Sequence, residues 1–166
     1  MTESHLLPAD IAELAQRVVA ENRVAGRKLT VAESCTGGLV AASLTEVPGS
    51  SAVLDRGFVT YSNAAKSELL GVPAELIAQH GAVSEPVARA MAGGAVRHAH
   101  AQVSVAVTGI AGPTGGSADK PVGTVWFAWC VDEQLSSEQR VFEGDRATVR
   151  EATVAYALAG LLKRLG

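Results

Sequence analysis

Apolar segments of strand length alternate with amphipathic helical segments along the whole chain. In the helical segments the apolar residues recur at helical spacing, whereas the strand segments are short and rich in apolar or β-branched residues. Strands that alternate with helices favour an α/β fold, in which helices cover both faces of a mostly parallel, mixed sheet. We therefore predict a three-layer α/β/α sandwich, with the nearly continuous apolar strand 124–131 placed centrally. The strands are expected at 29–33, 52–61, 103–107, 124–131 and, more weakly, 139–142.

The chain is long enough for one core. Its 166 residues should bury about 70% of the surface that the unfolded chain exposes. Hydrophobic residues make up 48% and charged residues 19%, which excludes a disordered chain. The sequence has 17 Gly but only three Phe, two Trp and two Tyr, so small residues must form much of the core. No linker or repeat divides the sequence, and we expect residues 1–166 to form a single domain.

The charge pattern argues against nucleic-acid and membrane partners. Lys and Arg number 14 against 17 Asp and Glu, the net charge is −3, and the basic residues form no cluster. The longest apolar run, 122–131, is too short to span a bilayer. Two cysteines are too few for a disulfide framework, and the N-terminal residues do not resemble a signal peptide. We therefore expect a cytoplasmic protein.

Ser34 stands where a predicted strand enters a Gly-rich turn and then a helix. At such a sheet edge the unpaired N–H groups of Thr36, Gly37 and Gly38 would point outward, where they can bind an anion or an oxyanion. The alternative, which the local pattern favours, is that Ser34 and Thr36 only cap the helix. Cys35 is either a thiol nucleophile at the helix start or a small buried side chain.

Tyr61 and Lys66 form a second cluster, at the end of a strand and in the first turn of the next helix, which Asn63 is expected to cap. A lysine is unfavourable there, because the helix dipole already supplies positive charge. Burial near that end would lower the lysine pKa, as a lysine general base requires. The alternatives are an ordinary surface lysine and a core tyrosine.

Glycines dominate the loop 108–116, where the backbone could approach a phosphate closely. The loop lacks the Lys-Ser or Lys-Thr of a P-loop and the glycine spacing of a dinucleotide-binding turn, so neither nucleotide site is predicted. The spacing of Tyr61 and Lys66 also differs from the Tyr-x-x-x-Lys pattern of short-chain dehydrogenases. His98 and His100 lack partners at metal-ligand spacing, so we expect no metal and no cofactor.

Five ordered segments closely resemble the motifs of the CinA C-terminal domain family, and together they span nearly the whole chain. Residues 144–146 and the final helix also fit this family. The chain is expected to be the stand-alone form of the domain, without the N-terminal domain of the longer members. The five segments are Glu33-Ser-Cys-Thr-Gly-Gly38, Tyr61-Ser-Asn-Ala-Ala-Lys66 with Leu70-Gly-Val72, Gly81-Ala-Val-Ser84, Thr108-Gly-Ile-Ala-Gly-Pro113 and Lys120-Pro-Val-Gly-Thr124.

The resemblance implies an activity as well as a fold. The implied activity is hydrolysis of nicotinamide mononucleotide, in which the nicotinamide carboxamide becomes a carboxylate and ammonia is released. The implied fold is a three-layer α/β/α sandwich with a mixed sheet, commonly assembled as a homodimer. The expected partners are thus a small-molecule substrate and a second copy of the chain.

The resemblance also implies roles for individual residues. Ser34 matches the family's proposed nucleophile, and Tyr61 and Lys66 match its associated tyrosine and lysine. Thr108 matches a threonine that lines the same site. In this hypothesis neutral Lys66 takes the serine proton directly or through Tyr61, and water later clears the acyl-enzyme. The N–H groups of residues 36–38 would hold the oxyanion, with help from the Thr108 hydroxyl.

The phosphate-binding residues and the choice of substrate stay open at this point. Two alternative functions compete: a serine amidase acting on another small carboxamide, and a non-catalytic regulator of DNA uptake and damage responses, the context in which the family was named. The absence of a basic patch argues against direct DNA contact in the second case. The candidates for binding the phosphate, each of which could instead be an ordinary surface residue, are Gly109 and Gly112 with the rest of their loop, Lys120 and Arg146.

Overall fold

The computed structural model describes residues 4–166, in which strands and helices alternate as the sequence predicts. A short 3₁₀ turn, Ser50–Ala52, precedes the second strand. The elements in chain order are α1 (Ala9–Ala25), β1 (Leu29–Glu33), α2 (Leu39–Thr45), β2 (Leu54–Val59), α3 (Asn63–Leu70), α4 (Ala74–His80), α5 (Glu85–Ala99), β3 (Val103–Gly109), β4 (Thr124–Val131), β5 (Gln134–Val141) and α6 (Arg146–Leu165).

The five strands form one mixed sheet in the order β2-β1-β3-β4-β5. β1 is parallel to both β2 and β3, while β4 is antiparallel to β3 and β5. β4 is therefore the one strand of this sheet that runs against the others, and the predicted mostly parallel, mixed sheet is confirmed. β4 is an interior strand, as its apolar sequence predicts, although β3 occupies the middle of the sheet.

Helices cover both faces of the sheet, which confirms the three-layer architecture. Buried apolar residues of α1, α2 and α6 pack on one face, and those of α3, α4 and α5 pack on the other. Successive residues of a strand point to opposite faces, so Val31 belongs to the first core and Ala32 to the second.

Small residues let α5 lie close to the sheet. Three of the strand residues beneath it are alanines, Ala32, Ala106 and Ala128, all fully buried. Gly94 of α5 lies against Leu70 at the end of α3, where an added Cβ would stand 2.0 Å from the Leu70 carbonyl oxygen. The low aromatic content predicted such a core, and on this face the prediction is confirmed.

The opposite face holds most of the aromatic side chains. Phe127 and Trp129 are two residues apart on β4, so both point toward α6, where their rings stack with centroids 5.7 Å apart. Trp129 donates from Nε1 to the carbonyl oxygen of Ala157, 3.0 Å away. Gly160 leaves the space for this ring, since an added Cβ would stand 2.1 Å from its Cζ2.

Three predicted strands have different limits in the structure. The third extends two residues beyond the predicted 107, to Gly109. The second is shorter than expected, Leu54–Val59, because residues 50–52 form the 3₁₀ turn. The fifth is longer, because its polar residues lie in a partly solvated edge strand where no continuous apolar pattern is needed. It is joined to β4 through Asp132 and Glu133, whose φ angles of 48° and 71° suit a tight hairpin turn.

The cap of α3 also differs from the prediction. Ser62, not Asn63, is the N-cap residue, and its hydroxyl accepts from the N–H of Ala65 at 3.0 Å. Asn63 is the first helical residue, and its side chain lines a pocket at the end of β1 and β3. No helix within residues 4–166 is long and apolar enough to cross a membrane.

Candidate active site

A pocket of about 270 Å³ opens at the carboxyl ends of the parallel strands β1 and β3. Ligand sites in open α/β sheets commonly lie at this edge. The pocket brings together six residues that the sequence singled out for the site, together with Ala111 of the predicted phosphate-binding loop and with Cys35. It also includes Asn63, Ala82 and Val83, which the sequence reasoning did not assign to it. The six are Ser34, Tyr61, Lys66, Thr108, Gly109 and Arg146.

Ser34 and Lys66 meet in this pocket although 32 positions separate them in sequence. Lys66 Nζ lies 3.1 Å from Ser34 Oγ, 2.8 Å from the carbonyl oxygen of Thr60 and 3.4 Å from that of Tyr61. Its side chain starts in the first turn of α3 and is 1% exposed. The surface-lysine alternative is therefore wrong.

Burial lowers the pKa of Lys66 below its ordinary value of 10.5. Among the described residues, no carboxylate pairs with it to restore the charged form. A neutral amine has two N–H donors and one lone pair, which match two carbonyl acceptors and one hydroxyl donor. In that state the Thr60 and Tyr61 carbonyls take the two N–H groups, and the lone pair can accept the proton of Ser34.

Glu33 organises the turn that follows Ser34. Its carboxylate is 1% exposed and accepts from the Thr36 hydroxyl at 2.5 Å, and from the N–H groups of Gly38, Val40 and Ala41 at 3.2, 2.9 and 3.0 Å. A buried carboxylate requires such donors, and the first turn of α2 has unpaired N–H groups to supply them. The sequence reasoning assigned Glu33 no role, although a charged residue ending a buried strand was the signal.

This arrangement corrects the predicted oxyanion donors. The N–H of Gly38 donates to Glu33, and the N–H of Gly37 donates to the Ser34 carbonyl oxygen at 3.1 Å. Neither is free for a ligand. The φ angles are positive, 58° at Gly37 and 107° at Gly38, so both glycines provide the left-handed backbone that this turn requires. Thr36 directs its hydroxyl to Glu33 and keeps only its N–H for a ligand.

Arg150 of α6 holds the same turn from the other side, and the sequence reasoning missed it. Its Nε donates to the carbonyl oxygen of Cys35 at 3.1 Å, and its Nη2 donates to that of Thr36 at 3.3 Å. Arg150 follows Arg146 by four positions, so the two side chains share a face of α6. That spacing was the sequence signal for it.

Tyr61 is a surface residue, not a core tyrosine. Its side chain is 64% exposed, and its hydroxyl accepts from Arg146 Nη2 at 3.4 Å. It contacts Lys66 through its carbonyl oxygen only. Of the two predicted routes for the serine proton, the geometry therefore favours direct transfer to Lys66 over a relay through the Tyr61 hydroxyl.

Thr108 lines the pocket as predicted, but its hydroxyl is already used as a donor. It donates to the carbonyl oxygen of Ala82 at 2.9 Å. In this state the hydroxyl can accept a hydrogen bond from a ligand but cannot donate one to an oxyanion. Gly109 provides clearance beside it, because an added Cβ would stand 2.7 Å from Val125 and 3.2 Å from Cys35 Sγ.

The residues predicted to bind phosphate separate in the structure. Arg146 lines the pocket mouth and donates from Nη1 to the Gly112 carbonyl oxygen at 2.8 Å, so Gly112 orients the arginine without lining the pocket. Lys120 is not among the lining residues. It donates to the carbonyl oxygen of His80 at 2.7 Å and so attaches its loop to the end of α4. Its role in binding the phosphate stays a prediction.

Cys35 is buried beside Ser34, and burial raises the pKa of its thiol to about 11. At neutral pH it is a protonated thiol, which supports the buried-side-chain alternative over a thiol nucleophile. Among the described residues, 4–166, no group of three or more His, Cys, Asp or Glu could hold a metal ion.

Comparisons with known proteins agree with this architecture. Nicotinamide-nucleotide amidohydrolase PncC of Escherichia coli (strain K12) is 50% identical over 162 residues, 97% of this chain and 95% of that protein. Its counterpart in Pseudomonas putida is 52% identical over 153 residues, 92% of this chain and 96% of that protein. A crystal structure described as competence/damage inducible protein CihA from Agrobacterium tumefaciens superposes with a TM-score of 0.93 at 48% identity, covering 96% of this chain and 98% of the other. The family model of the CinA C-terminal domain matches residues 11–165, and the chain therefore belongs to the CinA C-terminal domain family.

Proposed function

We propose that this protein hydrolyses the carboxamide of nicotinamide mononucleotide to nicotinate mononucleotide and ammonia, with Ser34 as nucleophile and Lys66 as general base. The observation that carries the proposal is the 3.1 Å approach of Lys66 Nζ to Ser34 Oγ, made by a buried lysine with a lowered pKa. The substrate is proposed because relatives about half identical over nearly the full chain are nicotinamide-nucleotide amidohydrolases.

In the first half-reaction, Ser34 Oγ attacks the carboxamide carbon while its proton passes to the lone pair of Lys66. The Thr60 and Tyr61 carbonyls hold the amine during this transfer. The oxyanion lies against the N–H groups of Cys35 and Thr36, which replace the Gly37 and Gly38 donors expected from sequence. One such donor is typically worth about 3 kcal/mol in the transition state.

The tetrahedral intermediate then collapses: the C–N bond breaks, protonated Lys66 gives its proton to the departing ammonia, and the acyl-enzyme on Ser34 completes the first half-reaction. The Thr108 hydroxyl accepts from the carboxamide NH₂ and so turns the leaving nitrogen toward Lys66, because that hydroxyl donates its own proton to Ala82. Water then attacks the acyl-enzyme with Lys66 again as base, which restores Ser34. In this scheme Lys66 is the group that carries the proton in every transfer, from Ser34 to ammonia and from water back to Ser34.

Two exposed groups at the pocket mouth suit the rest of the substrate. The Tyr61 ring can stack on the positively charged pyridinium ring. Arg146 keeps donors available beside its bond to Gly112 and can bind the phosphate. If so, Arg146→Ala raises KM much more than it lowers kcat, and nicotinamide riboside is a poor substrate. An unchanged KM in the variant would reject this role.

The central test measures ammonia release and the nucleotide product, with Ser34→Ala and Lys66→Met as variants. We expect activity on nicotinamide mononucleotide, little on free nicotinamide, and a loss of roughly 10²–10⁴-fold in Lys66→Met. Hydrolysis of free nicotinamide or another small carboxamide in its place would instead support the alternative serine amidase. A folded Ser34→Ala protein with wild-type activity would overturn the mechanism.

The pocket and the Ser34–Lys66 contact favour an enzyme over a non-catalytic regulator. Assembly as a homodimer, a cytoplasmic location and the absence of a nucleic-acid partner stay predictions. Strands β2 and β5 form the two edges of the sheet and offer surfaces for a second copy. Light scattering on the purified protein tests the dimer, and a monomer at micromolar concentration would contradict it. A salt-sensitive complex with DNA would contradict the predicted absence of a nucleic-acid partner.

A further inference from the structure

Arg150 occupies a position that helix energetics disfavour. It lies near the N-terminal end of α6, where the helix dipole is positive, and Arg146 one turn earlier already adds a charge there. Among residues 4–166 neither arginine forms an ion pair with a carboxylate. Instead the Arg150 guanidinium donates to two adjacent backbone carbonyls, those of Cys35 and Thr36. These two residues directly follow Ser34, the proposed nucleophile.

Peptide geometry gives these two bonds a consequence for the site. In a planar trans peptide the C=O and the N–H point in opposite directions. Because the Cys35 carbonyl points to Arg150, the N–H of Thr36 points away from Arg150. The Ser34 carbonyl is likewise held by the N–H of Gly37, so the N–H of Cys35 points away from the turn.

These two N–H groups are the free donors of the turn. Within the described part of the chain, residues 4–166, neither the N–H of Cys35 nor that of Thr36 donates to another residue. Both belong to the peptides that follow Ser34, and Ser34 and Cys35 line the pocket. They are thus placed as a pair of donors beside the attacking oxygen, the arrangement that stabilises an oxyanion.

We infer that Arg150 is a positioning residue for the reaction, because it aims the N–H groups of Cys35 and Thr36 at the oxyanion. Its bond to the Cys35 carbonyl orients the Thr36 N–H of the same peptide. Its bond to the Thr36 carbonyl orients the Gly37 N–H, which holds the Ser34 carbonyl and so orients the N–H of Cys35. The inference rests on the proposed serine mechanism. Arg150 acts through the backbone and touches no substrate. Its planar fork reaches the two carbonyls from two different nitrogens in a fixed geometry, whereas a lysine at this position would have to reach both from one nitrogen on a flexible stem.

The test compares Arg150→Lys and Arg150→Met with the matched control Arg17→Met, an exposed arginine on α1. Because the oxyanion exists only in the transition state and the tetrahedral intermediate, we expect kcat to fall roughly 10- to 100-fold in both Arg150 variants while KM changes less than about threefold. Added guanidinium ion at millimolar concentration should restore part of the activity of Arg150→Met. The control should keep both constants, and thermal unfolding confirms that each variant is folded.

A second measurement separates this inference from the choice of substrate. The rate at which a small aryl fluorophosphonate modifies Ser34, followed by mass spectrometry, depends on the same oxyanion donors and needs no nucleotide. We expect this rate to fall in parallel with kcat. If the wild type reacts with the probe but releases no ammonia from the nucleotide, the proposed substrate fails and Arg150 is still tested by the probe. Folded Arg150 variants with wild-type kcat and labelling, or with raised KM alone, would overturn the inference.

Discussion

Glu33→Gln tests the architecture of the nucleophile turn most directly. The glutamate accepts four hydrogen bonds, three at Oε1 and one at Oε2, and these connect β1 to the first turn of α2. Glutamine has nearly the same shape but only one acceptor oxygen. With that oxygen at the Oε1 position, its NH₂ group faces the N–H of Ala41, donor against donor.

The expected loss of stability follows from these bonds. The bond from Ala41 to a charged acceptor is lost, which costs about 1.5–3 kcal/mol. The three remaining bonds lose the assistance of the negative charge, which roughly doubles the strength of such bonds. We expect the free energy of unfolding to fall by roughly 3–5 kcal/mol in total, against a typical 5–15 kcal/mol for a domain. The variant should therefore still fold in the cold, unlike Glu33→Ala, which leaves all four donors unpaired.

The assay is urea unfolding followed by circular dichroism, together with kcat for ammonia release. The matched control is Glu75→Gln, an exposed glutamate in the first turn of α4, which should change neither quantity. Because a shift of about 1 Å at a reacting group can cost about 100-fold, we expect kcat of Glu33→Gln to fall at least tenfold. A Glu33→Gln protein within about 1 kcal/mol of the wild type and with unchanged kcat would refute this account of the turn.

The remaining predictions concern pH, thiol reactivity and packing. Because neutral Lys66 is the active form, kcat/KM should rise with pH through a pKa below 10.5, and this limb should vanish in Lys66→Met. The same lowered pKa means that the unfolded chain binds more protons at this site, so stability should increase with pH between the folded pKa and 10.5, a trend that urea unfolding would reveal. With its pKa raised to about 11, Cys35 should resist iodoacetamide at pH 8 in the folded protein, and stoichiometric labelling there by intact mass would contradict that value. Gly160→Ala should lower the melting temperature, at a cost of about 1–3 kcal/mol, because the new Cβ would stand 2.1 Å from Trp129, whereas Gly93→Ala, with 3.4 Å to its nearest neighbour, should not.

Local sequence patterns were sufficient to predict the fold class and most of its elements. Hydrophobic periodicity acts over a few residues, so it reports which segments are strands or helices before any tertiary contact is known. It missed most of β5, where a solvated edge strand needs no apolar run. The separate prediction of the α3 cap was wrong because neighbouring Ser62 and Asn63 are both good caps. The ordered motifs also predicted the family and the candidate catalytic pair, Ser34 and Lys66.

The sequence by itself thus determined the alternating elements, the mixed sheet and the residue types available for catalysis. Only the tertiary structure decided how each donor and acceptor is used. It paired the Gly37 and Gly38 N–H groups with other partners, paired the Tyr61 hydroxyl with Arg146 and attached Lys120 to the end of α4. The physical reason is that every buried polar group must find a partner, and that partner can come from any part of the chain. Arg150 reaches back 115 positions to Cys35. Its spacing from Arg146 places it on the same helix face, but only the tertiary structure decided that its partner is Cys35.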